Sequence, residues 1–511
     1  MGIGIDFGTT NSAAIFADNN GKITLGVQDA QGARPDSSIV WVSNAHVTHF
    51  GGTPVNPDIY SPVRELKWYL GNQPDFGIDG RTHNAIDLST KYIQWMKNRL
   101  ANMVGTGVRK DGILTVASVP NRSWPGYRQR LRKCLTDAGF NSVRLVYEPT
   151  AAAVACLHEA GALNNPAKFA GPVLVIDWGG GTVDVSLLEL KSNRTLVDIN
   201  TEGKQSGIGG GDMDEWLAQK AAENGNMVFE LKQLDRNAKN TLLAAIEYFK
   251  IKCVQNFDLG LDCKPESIVV PDTGGRTITI TSNDVKDCVN HFCQNVQEIA
   301  LGATAAAGIA NDDVRYKIFV GGPFQSKFIR ENGHFSAWRN AQSLTYSLGT
   351  QLATAAGCAL LARRGFNLNL ACDIGVMEPD GGFFTVAHRH ESMPDGNPSS
   401  TKSTLRRQQF DVTDLACTNA VFEFARNSGL EGREKFIPMG IAQVPVCHTV
   451  FGGVTLFGPI IEEATLDCDL NFGVQIIGRR GGVHNPGPDE IIDRKQFDCL
   501  PLEVELSQWF N

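Results

Sequence analysis

Two turns that join aspartate, glycine and threonine are the residues of this sequence best suited to chemistry. The first spans residues 6–11 (Asp-Phe-Gly-Thr-Thr-Asn), and the second spans residues 177–184 (Asp-Trp-Gly-Gly-Gly-Thr-Val-Asp). In each, a short apolar run ends in aspartate before the turn. Backbone N–H groups of such turns point into one concavity that suits anionic oxygens, and glycine allows a phosphate to approach closely. Two facing turns of this kind predict a protein that hydrolyses or senses ATP.

The two turns also predict a metal site. Asp6 and Asp177 end the two apolar runs, so they face one cleft if the halves are related by pseudo-symmetry. Mg²⁺ keeps several of its waters and needs one or two carboxylates, which this pair supplies. Other phosphate-binding patterns are absent from the sequence. Residues 207–212 resemble Gly-x-Gly-x-x-Gly but end in aspartate, and no Gly-x-x-x-x-Gly-Lys-Ser/Thr occurs.

The elements that must position these turns alternate between strands and helices. Helical periodicity occurs at 150–158, 235–254 and 347–364, and it predicts an α/β fold for this part. Beyond residue 367 the pattern changes to short alternating strands with Gly/Pro turns, which predicts an all-β domain. The strands are expected at 421–424, 465–470, 474–477 and 500–506, and residues 391–404 are expected to form an exposed loop.

Composition limits the function classes. The chain has 511 residues, 42% of them hydrophobic, which suffices for several domains. The net charge of −8 offers no electrostatic attraction for nucleic acid or anionic membranes. No apolar run is long enough to span a membrane, and no basic and apolar secretory signal follows Met1. We therefore expect a cytoplasmic protein whose 12 cysteines are reduced.

These residues resemble the seventy-kilodalton heat-shock chaperones, which are members of the actin-like ATPase superfamily. The similarity follows the chain in order over roughly the first 365 residues. The matching pieces are 4–12, 66–71, 119–120, 148–153, 177–184, 208–214, 247–250 and 320–322. The resemblance implies a two-lobed ATPase domain, made of two RNase H-like subdomains with insertions, over 1–366. Lobe I would span about 1–165 and lobe II about 171–366.

The resemblance implies a catalytic set that acts by placement and charge compensation. Its members would be Lys67, Glu148, Asp177, Thr182 and Asp184. Lys67 would orient the γ-phosphate and the attacking water, while Glu148 and Thr182 would help position that water with Asp184 nearby. Asp6 and Asp177 would hold Mg²⁺, largely through waters.

The resemblance also implies a set that binds ATP or ADP. It comprises Gly8, Thr9, Thr10, Asn11, Gly179, Gly180, Gly181, Gly209, Gly210, Gly211, Glu247, Lys250, Gly321, Gly322 and Gln325. Glu247 and Lys250 would contact the ribose and adenine. Pro120 and Arg128 match a pair that couples nucleotide state to the second domain.

Three positions depart from the family pattern. Gln325 stands where the family has an arginine that stacks on adenine, so cation–π packing would be lost. Val254 replaces a serine that contacts adenosine, and Gly211 replaces an acidic residue. These changes concern nucleotide affinity and exchange, and they leave the hydrolytic set complete.

The remaining chain resembles the β-sandwich peptide-binding domain of the same chaperones, most clearly at 464–477. Residues 367–378 would form the interdomain linker, and residues 379–511 the β-domain. The linker is apolar, so we expect it to dock. The helical lid of the family has no room here, and we expect bound peptides to leave quickly without it.

Three functions are compatible with these observations. The first is an ATP-driven chaperone that binds extended apolar peptides, with a J-domain-type co-chaperone and a nucleotide exchange factor as possible partners. The second is a slow or sensing ATPase whose β-domain grips one dedicated client, which the altered adenosine contacts favour. The third is a small-molecule kinase on the same fold. The signatures at 9–12 and 148–153 argue against the kinase, and the sequence shows no separate base for a sugar hydroxyl.

Overall fold

The computed structural model describes two α/β lobes followed by a β-rich region, which confirms the predicted fold class. The described residues are 1–26, 35–43, 47–52, 60–78, 80–105, 112–378, 380–395, 400–410, 419–427, 436–445, 447–451, 453–457, 460–482, 485–497 and 500–510.

Lobe I is built on the apolar run that precedes the first turn. Its strands are β1 (Gly2–Phe7), β2 (Asn11–Ala17), β3 (Ile23–Leu25), β4 (Asp36–Ser37), β5 (Val40–Ser43), β6 (Val47–Phe50), β7 (Tyr60–Val63), β8 (Asp75–Ile78), β9 (Arg81–Asn84), β10 (Thr115–Val119) and β11 (Val143–Tyr147). The main sheet runs in the order β11-β10-β1-β2-β3, and β4 pairs with β2. Strand β1 pairs in parallel with β10 and antiparallel with β2, so the first turn joins two central strands.

The helices of lobe I cover this sheet. They are α1 (Leu66–Asn72), α2 (Ala85–Val104), α3 (Tyr127–Asp137), α4 (Glu148–Glu159) and α5 (Pro166–Phe169). Asn84 caps α2 by accepting hydrogen bonds from the backbone N–H groups of Ile86 and Asp87. Helix α4 contains the predicted helix at 150–158 and has proline in its first turn, where no intrahelical N–H is needed.

Lobe II repeats the arrangement around the second turn. Its strands are β12 (Gly171–Trp178), β13 (Thr182–Leu190), β14 (Thr195–Ser206), β15 (Glu266–Val269), β16 (Thr277–Ile280), β17 (Tyr316–Val320) and β18 (Gln342–Leu344). Strand β12 is buried, pairs in parallel with β17 and antiparallel with β13, and thus matches β1 of lobe I. The two aspartates therefore end equivalent strands.

The helices of lobe II are α6 (Gly210–Asn224), α7 (Val228–Gln233), α8 (Arg236–Asp258), α9 (Ser282–Ala306), α10 (Lys327–Arg330) and α11 (Ala353–Arg364), with 3₁₀ turns at Asn311–Asp313, Pro323–Gln325 and Gly333–Trp338. Among these helices, α8 forms a wall of the cleft and α11 packs against α4 of lobe I. Helix α8 confirms the prediction at 235–254. Helix α11 begins later than predicted, because Thr350 donates its hydroxyl to the Gly321 carbonyl in a turn before it. It packs against α4 so closely that a side chain at Gly357 would overlap the backbone of Ala151.

The β-rich region begins in the linker. Strand β19 (Asn367–Leu370) lies in the linker and belongs to the sheet of lobe II. The strands of the β-rich region itself are β20 (Asp373–Met377), β21 (Phe383–Ala387), β22 (Thr401–Gln409), β23 (Asn419–Asn427), β24 (Phe436–Pro445), β25 (Cys447–Phe451), β26 (Gly453–Phe457), β27 (Ile460–Asp467), β28 (Phe472–Gly482) and β29 (Asn485–Phe497). One sheet has the order β21-β20-β23-β24 and another the order β22-β27-β28-β29. The rings of Phe424 and Phe497, one from each sheet, lie 5.0 Å apart, so the two sheets share a core.

The strands predicted at 421–424, 465–470 and 474–477 are found, and the extents of one of them and of the predicted loop are corrected. Strands β23 and β28 contain the predicted strands at 421–424 and 474–477. Strand β27 ends at Asp467 rather than at Leu470, since the Asp467 carboxylate accepts backbone N–H bonds from Asp469 and Asn471 and closes a turn. The predicted loop at 391–404 is wrong at its end, where residues 401–404 belong to β22, and residues 396–399 lie outside the described residues.

The strand predicted at 500–506 exists, but it does not lie in the sheets of the β-rich region. Strand β30 (Leu502–Glu505) joins the sheet of lobe II, whose order is β18-β17-β12-β13-β14-β30-β19, and a 3₁₀ turn at Ser507–Phe510 follows. Alternating apolar residues predict a strand, yet every open sheet edge can accept one. The assignment of these residues to the β-domain is therefore corrected.

Candidate nucleotide-binding site

The two turns lie against each other at the bottom of a cleft between the lobes. A side chain at Gly180 would overlap the Thr10 hydroxyl, so the second turn touches the first. The cleft has a volume of about 760 Å³ and is lined by Asp6, Asp177 and both turns. That volume is within the range of ordinary small-molecule sites. The pseudo-symmetry inferred from the sequence thus places both aspartates in one cavity.

Nearly all of the residues predicted from sequence line this cleft. Those at the cleft wall are Asp6, Gly8, Thr9, Thr10, Asn11, Lys67, Glu148, Asp177, Gly179, Gly180, Gly181, Thr182, Asp184, Gly210, Gly211, Glu247, Lys250, Gly321, Gly322 and Gln325. Gly209 is set back from the wall, because it packs directly on the backbone of Gly180 and Gly181. Pro120 and Arg128 lie outside the cleft, at the contact with the β-rich region described below.

A buried ion pair joins α1 to α4 at the cleft floor. The Lys67 Nζ donates to the Glu148 Oε1 at a distance of 2.6 Å, and both side chains are buried. Burial alone would lower the pKa of Lys67, but the charges of Glu148 and Asp6 raise it above its ordinary value. The lysine is therefore held as a cation, with its charge directed at the space between the two turns.

Carboxylates surround that cation. Burial, followed by the charge of Glu148, raises the pKa of Asp6 to about 6, although Ser118 donates a hydrogen bond of 2.9 Å to its Oδ1. Burial and then the charges of Glu148, Asp184 and Asp6 raise the pKa of Asp177 well above its ordinary value. Clustered, desolvated carboxylates of this kind are stabilised by a bound cation.

The donor set fits a hard divalent cation that is shared with a ligand. Among the described residues, no three His, Cys, Asp or Glu side chains are grouped so that they could hold a metal ion by themselves. Mg²⁺ does not need such a group, because it is usually bound through one or two carboxylates, waters and phosphate oxygens. Asp6 and Asp177 match that requirement, with oxygen ligands and no soft donor.

The glycines of the third motif brace the second turn. The backbone N–H groups of Gly210 and Gly211 donate to the carbonyls of Gly179 and Gly180, at 3.0 and 2.7 Å. These two N–H groups are therefore already hydrogen-bonded within the protein. Gly210 and Gly211 contribute to the cleft through its shape. The N-terminus of α6 lies directly behind the turn, where its dipole favours an anion in the cleft.

The other end of the cleft is formed by α8 and the segment after β17. Lys250 Nζ lies 2.7 Å from the Asp214 Oδ1 and donates to the Gly210 carbonyl at 2.7 Å. Asp214 was not among the predicted site residues. It ends the third glycine motif and lies one helical turn after Gly210 on α6, and this position could have indicated that it faces the cleft. Because Asp214 neutralises Lys250, this wall offers a fixed hydrogen-bonding surface more than a free positive charge.

Two of the three departures from the family pattern lie on this same wall, and the third, Gly211, lies in the first turn of α6. Val254 and Gln325 line it beside Ile251 and Gln255. Gly321 has a φ of 98°, and a side chain there would overlap the Trp178 carbonyl, so the backbone at this point needs glycine.

Arg128 connects lobe I to the β-rich region. Its guanidinium donates to the carbonyls of Pro120 and Asn121, at 3.3 and 2.8 Å, and to the carbonyl of Leu470, at 2.9 Å. Leu470 belongs to the turn between β27 and β28. The pair Pro120 and Arg128, predicted to couple the two domains, therefore lies where they meet.

A second arginine at this contact was not predicted. Arg132, one helical turn after Arg128, forms an ion pair with Asp469 at 2.6 Å and donates to the carbonyls of Val143, at 2.7 Å, and Cys468. Arg132 follows Arg128 by four residues on α3, so both side chains lie on one face of the helix. This spacing could have predicted its role in the sequence.

The fold and the cleft define a two-lobed nucleotide-binding ATPase domain of the actin-like type. A comparison with protein-family models matches residues 69–363, more than half of the chain, to the Hsp70 protein family. The chain belongs to the Hsp70 family, whose members are in general ATP-binding chaperones with ATPase activity. Within the described residues, no helix is both long and apolar enough to cross a membrane.

Proposed function

We propose that this protein binds ATP and ADP with Mg²⁺ in the cleft, hydrolyses ATP, and uses the cycle to control peptide binding by its β-rich region. The observation that carries the proposal is the buried Lys67–Glu148 pair between Asp6 and Asp177, all facing one cavity. A lysine held as a cation can orient a γ-phosphate, and a neighbouring carboxylate can orient water. Mg²⁺, when bound, would neutralise charge on the phosphates.

The residues act by position in this proposal. Lys67 reaches the phosphate end of the cleft, Glu148 and Thr182 hold the attacking water, and Asp184 orients Thr182, whose hydroxyl donates to it at 3.2 Å. Glu247, with Lys250 pinned by Asp214, contacts the nucleoside. The glycine turns cradle the phosphates through backbone N–H groups.

We propose that the nucleotide state changes peptide binding through the contacts between the docked domains. Arg128 and Arg132 contact the turn between β27 and β28, and the linker strand β19 lies in the sheet of lobe II. A change of lobe angle on hydrolysis would shift both contacts and alter the β-rich region, which we propose binds extended apolar segments.

The test is ATP turnover by the purified chain, measured with and without unfolded apolar peptides. We expect slow turnover that peptide stimulates, and peptide release that is faster with ATP than with ADP. Peptides scrambled to polar sequences are the control. Turnover that is absent under all conditions contradicts the proposal.

A second candidate is a nucleotide-sensing module with one dedicated client. Val254 and Gln325 on the nucleoside wall favour it, because both reduce the contacts available to adenosine. This protein would bind nucleotide and ignore generic peptides, yet it would retain one cellular protein in a nucleotide-dependent way. The peptide-stimulation experiment separates the two candidates.

A further inference from the structure

One face of helix α8 follows the wall of the cleft over three helical turns. Its residues Glu247, Lys250, Val254 and Asp258 recur every three or four positions, and all four line the cleft. At 1.5 Å per residue, Asp258 lies about 12 Å farther along the helix than Lys250. The stripe therefore continues past the two residues proposed to contact the nucleoside, and it ends in a carboxylate that has no role in the proposed site.

The orientation of the Asp258 carboxylate is fixed by the segment that faces α8. Its Oδ1 accepts a hydrogen bond from the Ser326 hydroxyl and another from the Phe328 backbone N–H, both at 2.7 Å. Ser326 is buried and lines the cleft, as Asp258 does. The rings of Phe257 and Phe328 pack 5.0 Å apart beside these bonds. Oδ1 is therefore occupied by the protein, and the carboxylate is held in place although Asp258 is exposed.

The second oxygen of this carboxylate is free to bind a ligand. Among the described residues, no group donates to the Asp258 Oδ2, and no cationic side chain forms an ion pair with it. Lys286, which packs on the Phe257 ring at 5.1 Å, is paired with Asp262 at 2.7 Å instead. An ionised carboxylate accepts hydrogen bonds and donates none, so a ligand group that binds Oδ2 must be a donor.

The neighbouring side chains of this wall do not distinguish a donor from an acceptor. Gln255 and Gln325 line the wall beside Asp258, and a carboxamide can present either its N–H groups or its carbonyl. Ile251 and Val254 are apolar and offer no hydrogen bond. Asp258 can make the distinction, because its carboxylate binds a donor and repels a carbonyl.

We propose that Asp258, held in place by Ser326, is a specificity-determining residue whose Oδ2 accepts a hydrogen bond from the exocyclic 6-amino group of adenine. This inference rests on the proposed function, since it needs a nucleoside bound between α8 and the segment after β17. Hypoxanthine and guanine carry a carbonyl at position 6, which the carboxylate would repel. Base selectivity is thereby recovered where Val254 and Gln325 have replaced family contacts, through a residue to which the family resemblance assigns no role.

Exchanging the carboxylate for an amide tests this assignment in the full chain. Asp258→Asn keeps the Oδ1 acceptor for Ser326 and Phe328, and it replaces Oδ2 by an N–H₂ donor. Isothermal titration in the presence of Mg²⁺ measures the affinities for ADP, inosine diphosphate (IDP) and GDP. The matched control is Asp287→Asn, which removes the same charge from an exposed position of α9 outside the cleft lining.

The unmodified protein should bind ADP about tenfold or more tightly than IDP, because IDP loses a hydrogen bond to a charged group and turns a carbonyl towards it. Asp258→Asn should bring this ratio to about one or below, since its amide can donate to the 6-carbonyl of hypoxanthine. Asp287→Asn should leave the ratio unchanged. An unchanged ratio in Asp258→Asn overturns the proposal. Tighter binding of GDP than of ADP also overturns it, because the carboxylate would then bind the N1–H and 2-amino groups of guanine.

A second pair of variants tests the positioning of the carboxylate by Ser326. Ser326→Ala removes one of the two donors to the Asp258 Oδ1, so the ratio of ADP to IDP affinity should fall about 2- to 5-fold. Ser326→Thr keeps the hydroxyl and should restore the ratio. Ser326 also accepts a hydrogen bond from the Ile329 backbone N–H at 3.3 Å, which is a purely structural contact. Equal weakening of ADP and IDP binding in Ser326→Ala would therefore contradict the positioning role.

The same titrations separate this inference from the proposed function. If the unmodified protein binds none of the three nucleotides, both fail. If it binds ADP and IDP with equal affinity, the role of Asp258 is overturned while the proposed ATP site stands.

Discussion

At the scale of single residues, the cleft is organised by charge. Lys67 is buried between carboxylates that all lie at strand or helix ends, so its cationic form is strongly favoured. The carboxylates near it are in turn desolvated, and the pKa of Asp6 is raised to about 6 by burial. A bound cation would relieve the repulsion among these carboxylates and could carry the phosphates of a nucleotide into the cleft.

Lys67→Ala should reduce ATP hydrolysis by roughly 100-fold or more while nucleotide still binds, since the lysine acts at the phosphate and not at the base. Single-turnover hydrolysis and binding of a fluorescent nucleotide measure the two effects separately. Lys91→Ala, an exposed lysine on α2, is the matched control. Unchanged hydrolysis in Lys67→Ala would remove the proposed role.

Gln325→Arg should raise the affinity for adenine nucleotides about 2- to 5-fold, because a guanidinium at this wall of the cleft can stack on the base of a bound nucleotide. Isothermal titration with ADP measures the change. Gln294→Arg on the exposed face of α9 adds the same charge away from the cleft and serves as the control. Equal gains in both variants would show a general charge effect and no stacking.

At the scale of elements, α3 is the connection between nucleotide lobe and β-rich region. Its two arginines lie one turn apart and contact one turn of the neighbouring domain, between β27 and β28. That turn is closed by Asp467, whose carboxylate binds backbone N–H groups, so its carbonyls are held towards α3. A rigid helix facing a rigid turn can transmit a small displacement.

Arg132→Ala and Asp469→Ala should each destabilise docking by about 3 kcal/mol, because each leaves a buried charge without its partner. The double variant should lose less than the sum of the two. Hydrogen exchange at 466–472 reports docking, and thermal denaturation reports stability. Lys133→Ala, which removes an exposed pair on the same helix, should change little. Strict additivity would argue against a direct ion pair.

At the scale of the whole molecule, lobe II and the β-rich region meet at a buried carboxylate. Asp198 of β14 is buried, and neither of its carboxylate oxygens finds a hydrogen-bond partner among the described residues. Burial raises its pKa to about 7, and the charge of Arg426 on β23 opposes that shift. The interface therefore contains a group whose protonation depends on whether the domains are docked.

Docking should weaken as pH rises. The pKa of Asp198 in the docked protein is about 7, above its ordinary value of 3.8, so between these values the docked state holds a proton that the separated state releases. The stabilisation is complete below 3.8 and is lost as pH rises through 7. Fluorescence energy transfer between lobe II and the β-rich region, measured across this range, checks the slope.

Asp198→Asn should flatten that pH dependence and favour docking at the alkaline end, because the amide needs no proton to stay neutral. Asp373→Asn, at a partly exposed position of β20, is the control. Docking that strengthens with rising pH in the unmodified protein would contradict the assignment.

The sequence alone determined the two turns and the aspartates that precede them. Both turns follow apolar strands, and a strand–turn unit is local: its hydrogen bonds and its glycines lie within about ten residues of each other. The helices at 150–158 and 235–254 are also set by local periodicity, so they were predictable. Lys67 and Glu148 were assigned roles only through the family resemblance, and their contact with each other was not predicted, since the two residues are far apart in the chain.

Only the tertiary structure decided how the parts are joined. The pattern at 500–506 indicates a strand but is equally suited to any open edge, and the fold places it on β14 of lobe II. The roles of Asp214, Arg132 and Asp198 depend on charged residues that are distant in sequence, namely Lys250, Asp469 and Arg426. Local pattern specifies elements, whereas pairing between distant elements depends on which edges and charges the folded chain leaves free.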